Sequence, residues 1–471
     1  MVASASSTCS CNDRRTQFTS DAVNWDVLSS LACKLLKADS SHWGDQVAGG
    51  YNLVRFLHLH DSQNTTLVAR VPLRSESSMD AEHDTMISKR IESEVATMEY
   101  VESHTNIPVP HVYHHSAHAK GEVGSPYILM SKVEGVPLVS VWDDMEDEKR
   151  RIILRQVVDI LLELWSQRFD KPGPLFKRAG GGEGKDAWCI EPVLISPHDM
   201  DLRHGILPAS YSNAAHYWLA YSNAKIDDLC NSNFGYQDKI YRYSQAWFTR
   251  SLIPSLFDPS LDIHGFPLTP GDFHSQNIMI TDVDNSPRIT AIIDWEFSSA
   301  DFVTSFGQYP FFIVDHPFWP KDHPLRERNV RDQETFNELI LAAERIRTPV
   351  GGPQLSRLIS NSYGIYLFQQ VMVTDQVMSY TAYPLLFAHV FGDYDNFTGE
   401  YCGALMDHGI LKKDEERFDK ERNAWLEARG ILGDDEVGHD LKIGDFKDLV
   451  SKHLDRFKDG GNVREWLASV N

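Results

Sequence analysis

The chain has 471 residues, 42% of them apolar and 24% charged, so it is long enough to form two or three lobes with buried cores. Its 45 Lys and Arg residues stand against 67 Asp and Glu residues, and the net charge of −22 disfavours binding to nucleic acid or to an anionic membrane. Its six cysteines show no paired spacing and no stretch is apolar enough to cross a bilayer, which argues against a zinc site, a disulfide framework and a membrane span.

The N-terminal segment is rich in Ser and Thr, and its first twenty residues contain Arg14, Arg15 and a single acid, Asp13. This composition predicts a disordered tail over residues 1–22. A similarity to an organelle transit peptide leaves a second interpretation open. Because a secretory signal is absent and the cysteines are scattered, we expect a cytoplasmic protein, with the mitochondrion as the alternative.

The next part of the chain predicts a small mixed unit. Residues 25–38 have apolar positions at helical spacing, whereas residues 51–59 and 66–71 alternate as two antiparallel strands. A helix is predicted over 85–103, and "IPVPHVYHH" and "SPYILMSKVEG" each predict a further strand. The expected order is strand, strand, helix, strand, strand.

Beyond Gly135 the pattern becomes mainly helical. Residues 149–169 predict a buried helix, and the Gly- and Pro-rich stretch 170–208 predicts a long loop outside regular structure. Only Asn277 to Thr281 and Arg288 to Ile293 are convincing strands in this part. The other predicted helices cover 209–223, 236–250, 333–347, 355–380 and the charged tail from Lys412 onward.

Three polar residues flank the predicted 277–293 hairpin. Asp272 lies in the loop before it, Asn277 begins its first strand, and Asp294 follows its second. Because antiparallel strands bring these ends together, the three side chains can meet at one end of the hairpin. Oxygen ligands suit Mg²⁺, and a carboxylate outside the metal shell can accept a hydroxyl proton. Separately, each residue is also a common turn, strand-end or capping residue.

The segments "GDFHSQNIMI" and "ITAIIDWEF" resemble the catalytic segment of the aminoglycoside phosphotransferase and choline kinase-like family, and "VARVP" with "IPVPHVY" resembles its large fungal branch. The resemblance implies an α+β, protein-kinase-like two-lobed fold, with a small antiparallel β lobe containing one helix and a large, mainly helical lobe. It also implies ATP and Mg²⁺ as cofactors. Asp272 is the implied catalytic base, and Asn277 and Asp294 are the implied metal ligands.

The front of the chain carries the same resemblance in the same order. "GGYNLVRF" resembles the hairpin that covers the phosphates, "LVARVP" the strand with a cation for the nucleotide, and "PYILMSKVEG" the strand and hinge beside adenine. A helix acid lies 24 residues after the strand cation, as the kinase arrangement predicts. The implied nucleotide-binding residues are Gly49, Gly50, Asn52, Arg70, Glu94 and Met130.

Two residues depart from the family pattern. Pro270 stands where the motif has a histidine that braces the catalytic loop, and Arg70 stands where a lysine binds the nucleotide. Proline offers neither an imidazole nor a backbone donor, whereas arginine keeps its charge and can bind a carboxylate in two places. The changes leave two hypotheses open, an active enzyme and a catalytically inactive nucleotide-binding pseudokinase or interaction protein.

The predicted organisation has a nucleotide-binding lobe over 23–132 and a catalytic and acceptor-binding lobe over 133–471. The predicted activity is an ATP-dependent phosphotransferase acting on the hydroxyl of a small molecule. The acidic chain favours a neutral or cationic acceptor, with neither nucleic acid nor a membrane as partner.

Overall fold

A computed structural model of the chain defines the fold. It describes residues 5–74, 81–178, 180, 184–193, 206–231, 236–316, 319–320, 322–347, 352–373 and 376–392. The helical tail predicted from Lys412 onward lies outside these residues.

The small lobe is built on an antiparallel sheet of five strands, ordered β1-β2-β3-β5-β4. The strands are β1 (Ser40–Ala48), β2 (Asn52–His60), β3 (Thr66–Pro72), β4 (Val112–Ser116) and β5 (Tyr127–Ser131). Strand β1 was missing from the predicted order. It is a largely exposed edge strand in the polar stretch "SSHWGDQVA", so it lacks the apolar alternation that predicts a half-buried strand.

Helices cover both faces of this sheet. On one face, Leu28 and Ala32 of α2 (Trp25–Leu36) belong to the same buried cluster as Leu57 of β2. On the other face, Ile91 and neighbouring residues of α3 (Ala81–His104) cluster with Ile128 of β5. The predicted helices at 25–38 and 85–103 are therefore present, and α3 lies against the sheet.

The N-terminal segment differs from the predicted disordered tail, because Ala5–Ala22 form helix α1. Thr19 is buried, and its hydroxyl oxygen accepts a hydrogen bond of 2.9 Å from the backbone N–H of Arg74. The indole of Trp25 donates to the carbonyl oxygen of Ser20. These contacts are made with residues distant in sequence or beyond the segment, so its Ser-rich composition gave no sign of them.

The large lobe is mainly helical, and α4 (Asp147–Ser166) lies in its core with ten buried residues. The predicted helix over 355–380 is interrupted, because α9 ends at Ser360 and α10 begins at Tyr363. The remaining helices are α5 (Ala214–Asn231), α6 (Tyr236–Leu256), α7 (Val303–Phe306), α8 (Leu325–Ile346), α9 (Leu355–Ser360), α10 (Tyr363–Val373) and α11 (Gln376–Phe391).

Short strands form two small sheets in this lobe, ordered β12-β11-β6 and β7-β10-β13-β8-β9. They are β6 (Val136–Pro137), β7 (Arg168–Phe169), β8 (Gly173–Lys177), β9 (Trp188–Ile190), β10 (Phe266–Thr269), β11 (Ile278–Thr281), β12 (Arg288–Ile292) and β13 (Ser299–Ala300). The prediction of a structureless loop over 170–208 was therefore wrong for β8 and β9. Both strands are too short, in a stretch rich in Gly and Pro, to show a clear alternation.

The segment that leaves β5 packs on the β11–β12 hairpin. Strand β6 pairs with β11, and Gly135 precedes it with a φ of +115°. A Cβ atom at Gly135 would collide with the carbonyl oxygen of Ile280, so the close approach requires glycine. The two-lobed α+β architecture predicted from the sequence is thus confirmed. Within the described part of the chain, no helix has the length and apolar character needed to cross a membrane.

Candidate functional site

The loop that carries Asp272 joins β10 to β11. Asp272 is exposed, whereas Asn277 is buried at the start of the hairpin. The Asn277 side-chain amide donates 3.0 Å hydrogen bonds to both the backbone carbonyl oxygen and the Oδ2 atom of Asp272. The Asp272 carboxylate is therefore held in a defined orientation at the surface, where a second molecule can approach it.

The loop is anchored at Gly271 rather than at Pro270. The Gly271 N–H donates a 3.1 Å hydrogen bond to the Ser298 hydroxyl. A Cβ atom added at Gly271 would lie 2.5 Å from the carbonyl oxygen of Glu296 and 2.6 Å from that of Phe297. The loop thus packs directly on the segment after β12, and Ser298 supplies a brace that the sequence motif did not indicate.

We expect Gly271→Ala to displace the loop, because the new methyl group meets rigid backbone, and to lower the free energy of unfolding by about 1–3 kcal/mol. Gly50→Ala is the matched control, since a Cβ atom there has no heavy atom within 4 Å among its surroundings and its φ is not in the left-handed region. Thermal unfolding of the two variants measures the difference. Equal melting temperatures would contradict the packing described.

Asp294 reaches the same end of the hairpin from β12. The backbone N–H of Ile293 donates to the carbonyl oxygen of Asn277 at 2.9 Å, so Asp294 is one residue beyond the direct partner of Asn277. Asp294 and Phe297 both have left-handed backbones, with φ of +59° and +62°. The strand pairing and this turn place Asp272, Asn277 and Asp294 at the same end of the hairpin.

Arg70 connects this end to the small lobe. It lies on β3, and its guanidinium forms an ion pair with Glu94 of α3, the contact that the family resemblance implied. Its Nη2 atom also lies 2.7 Å from Oδ1 of Asp294 and 2.5 Å from Oε2 of Glu296. The strand cation is thus shared between a carboxylate of the small lobe and two carboxylates that follow β12.

Glu296 is a residue of this cluster to which the sequence analysis assigned no role. It is buried and accepts a 2.7 Å hydrogen bond from the side-chain amide of Asn52. Its Oε1 atom lies 2.9 Å from Nε of Arg90, a further buried cation on α3. Arg90 was missed, although its position four residues before Glu94 places both on one face of the helix.

Burial and the neighbouring carboxylates shift the pKa of Arg70 in opposite directions. Burial alone would lower the pKa of Arg70, but the carboxylates of Glu94, Asp294 and Glu296 outweigh it and raise that pKa above its ordinary value. Burial raises the pKa of Glu94, and the nearby Glu296 and Asp294 add to the rise, while Arg70 opposes it. The Arg70 guanidinium therefore stays charged.

The other nucleotide-binding candidates lie where the sheet faces this cluster or near it. Gly49 and Gly50 form the exposed turn between β1 and β2, and Asn52 begins β2. Neither glycine has a positive φ. Met130 lies on β5, half-buried, and pairs with Val68 of β3. Asn52 is thus tied to the cluster by its direct hydrogen bond to Glu296.

The oxygen donors fit a magnesium ion whose remaining coordination positions are filled by a bound ligand. Asp294 offers a carboxylate whose side chain is 37% exposed, and Asn277 offers an amide oxygen. Among the described residues, no group of three or more His, Cys, Asp or Glu side chains is arranged to hold a metal by itself. Mg²⁺ commonly takes one or two protein oxygens and draws the rest from phosphates and water, so this donor set is suitable.

The chain combines an ion pair between β3 and α3 with a segment after β5 that pairs with the β11–β12 hairpin. The loop and strands of that hairpin carry Asp272, Asn277 and Asp294. The fold is protein-kinase-like. No protein-family model matches the chain. The assignment of the fold therefore rests on the chain's own strand order and contacts.

Similar solved structures are small-molecule phosphotransferases. The GDP complex of aminoglycoside 2'-phosphotransferase-IIIa is 11% identical, with a TM-score of 0.40 over 86% of this chain and 99% of that one. A macrolide 2'-phosphotransferase from Brachybacterium faecium is 13% identical, with a TM-score of 0.38 over 77% of this chain and 98% of the other.

Curated relatives are similar over shorter segments. A subtelomeric hrmA-associated cluster protein of Aspergillus fumigatus is 30% identical over 149 residues, which are 32% of this chain and 27% of the relative. Altered inheritance of mitochondria protein 9, mitochondrial, of Meyerozyma guilliermondii is 32% identical over 117 residues, 24% of this chain and 18% of the relative. The chain thus matches less than a third of the length of either protein.

Proposed function

We propose that the chain is an ATP-dependent phosphotransferase that acts on the hydroxyl group of a small molecule. The observation that carries this proposal is the continuous set of contacts from Glu94 through Arg70 to Asp294, beside the Asn277–Asp272 hydrogen bonds. Phosphoryl transfer requires positioned phosphates, a metal and a base near the acceptor, and these side chains supply groups for each task.

In this proposal Asp272 is the base. The acceptor oxygen forms a bond to the γ-phosphorus as the bond from that phosphorus to the ADP oxygen breaks, and the hydroxyl proton passes to the Asp272 carboxylate. Asn277 orients that carboxylate by donating to its Oδ2 atom. The exposure of Asp272 leaves room for the acceptor.

Asn277 and Asp294 would hold Mg²⁺, which when bound neutralises charge on the phosphate oxygens. Arg70 would contribute its positive charge at the same end of the site, and Asn52, Gly49 and Gly50 would lie over the phosphates. Met130 would contact adenine. We also propose residues 23–132 as the nucleotide-binding lobe and 133–471 as the catalytic and acceptor-binding lobe.

A second candidate is a nucleotide-binding protein without turnover. The sharing of Arg70 among Glu94, Asp294 and Glu296 favours it, because these carboxylates occupy donors that a phosphate would use. Pro270 also favours a protein without turnover, although Ser298 braces the neighbouring Gly271. For the compartment, we propose the cytoplasm, with the mitochondrion as the alternative that one relative's name favours.

The test is ADP release by the purified full chain with ATP, Mg²⁺ and a panel of amino alcohols, sugars and aminoglycosides. Release that depends on one acceptor class supports the enzyme and identifies that class. Thermal stabilisation by ATP with no ADP release for any acceptor would support the binding protein instead. Absence of both effects would contradict nucleotide binding altogether.

A further inference from the structure

A cavity of about 450 Å³ is lined by none of the residues assigned to the Asp272 site. It lies where the C-terminal part of α3 meets strands β7 and β9. Its volume falls in the range of small-molecule sites, about 300–1,000 Å³. The cavity is therefore large enough for an organic ligand and distinct from the Asp272 site.

The charge of this cavity is opposite to that of the chain. Its described lining includes the cations Arg168, Lys171 and Arg178 and one acid, Asp170. The whole chain has 45 Lys and Arg residues against 67 Asp and Glu residues. A concentration of positive charge in an acidic protein creates a local potential that attracts anions.

Arg168 is the cation most in need of a counter-charge. Its Nη1 atom donates to the carbonyl oxygen of Gly265 at 3.2 Å, and its Cζ atom lies 3.8 Å from the ring centroid of Trp165. Its Nε and Nη2 atoms are buried without a hydrogen-bond partner among the described residues. Burial lowers the pKa of Arg168 to about 10, with the charge of Asp262 opposing the shift.

Asp262 does not neutralise Arg168 by direct contact. Its two carboxylate oxygens accept hydrogen bonds from the backbone N–H groups of Ala214 and Val303, at 2.8 and 2.9 Å. The cost of burying the Arg168 charge is thus only partly offset inside the protein. An anion in the cavity would lower that cost by its electrostatic attraction to Arg168. Lys171 and Arg178 would contact the anion at the cavity wall.

The remaining wall is aromatic. The Tyr100 ring lies 5.3 Å from Phe169 and 5.4 Å from Trp188, measured between centroids. The Tyr100 hydroxyl donates to Gln167 and the Trp188 indole donates to the carbonyl oxygen of Ala96, so both polar groups are already used within the protein. Tyr100 is itself buried, so the half-buried rings of Phe169 and Trp188 are the flat apolar surfaces that this wall offers to a ligand.

We propose that this cavity binds a small organic anion with an aromatic or otherwise flat apolar body. The anionic group lies toward Lys171 and Arg178, and the flat body lies against Phe169 and Trp188. This site does not depend on the proposed phosphotransferase activity, because it uses different side chains and requires neither nucleotide nor metal.

The test uses naphthalenesulfonate as the anionic probe and naphthalenesulfonamide as its neutral counterpart, with binding to the full chain measured by titration calorimetry. We expect the sulfonate to bind more tightly, and Lys171→Gln and Arg178→Gln each to weaken it by about tenfold. Lys177→Gln is the matched control, because Lys177 precedes Arg178, does not line the cavity and pairs with Glu99 at 2.7 Å. The Lys177→Gln variant should bind the sulfonate with the same affinity as the unaltered chain.

A second measurement locates the probe. Cys189 lines the cavity, whereas Cys33 lies on α2, and both are free and half-buried. Bound sulfonate should slow alkylation of Cys189 by iodoacetamide and leave the rate at Cys33 unchanged. Equal affinity for the two probes, unchanged binding in both glutamine variants, or equal protection of the two cysteines would overturn the proposal.

Discussion

Asp272→Asn should reduce acceptor-dependent ADP release by at least about 100-fold, because general-base catalysis contributes about 10²–10⁴ to the rate and a carboxamide cannot accept the hydroxyl proton. ATP should still raise the melting temperature, since Asp272 is placed at the acceptor rather than at the nucleotide. Steady-state ADP release and thermal unfolding with and without ATP measure the two effects separately.

Asp284→Asn is the control for this substitution. Asp284 is an exposed acid in the turn at the opposite end of the β11–β12 hairpin, so the same chemical change there should leave turnover unaltered. An Asp272→Asn variant with full activity would remove Asp272 as the base. Loss of activity in both variants would point to a general effect of charge instead.

Arg70→Met should lower the free energy of unfolding by about 3–5 kcal/mol, because removing one partner of a buried ion pair leaves the other charges uncompensated. Arg70 contacts Glu94, Glu296 and Asp294, and the side chains of Arg70, Glu94 and Glu296 are at most 7% exposed. Chemical denaturation followed by circular dichroism measures the change.

Arg151→Met provides the comparison for a cation of the same type. Arg151 pairs with Glu338 at 3.2 Å, but the two side chains are 44% and 69% exposed. Such a surface pair contributes at most about 1 kcal/mol, so this variant should unfold close to the unaltered chain. If Arg70→Met were equally mild, the buried cluster would not have the role in stability assigned to it.

The features predictable from the sequence were those with a clear period or a fixed motif. The alternation in β2 and β3 and the helical spacing in α3 identified the small lobe, and antiparallel pairing predicted that Asp272, Asn277 and Asp294 would meet. The family resemblance implied the Arg70–Glu94 contact that the structure contains. The first two of these follow from local geometry or from one pairing of strands, and the third follows from a family motif.

The features that escaped prediction depend on contacts between segments far apart in the chain. Asn52 and Glu296 are 244 residues apart, and Gly271 and Ser298 meet only after β12 turns back toward the loop. Strand β1 and helix α1 are polar, and their partners lie elsewhere in the fold. No periodicity in a window of ordinary length contains that information.

Arg70 and Arg90 form ion pairs with residues after β12. These ion pairs also limit how the chain can be divided into fragments. An isolated fragment ending near residue 132 would keep both guanidinium groups and Glu94 but lose Glu296 and Asp294. Its interior would then have two positive charges and one negative charge, an imbalance that is costly to bury. We therefore expect a fragment ending near residue 132 to fold less stably than the same segment does within the full chain.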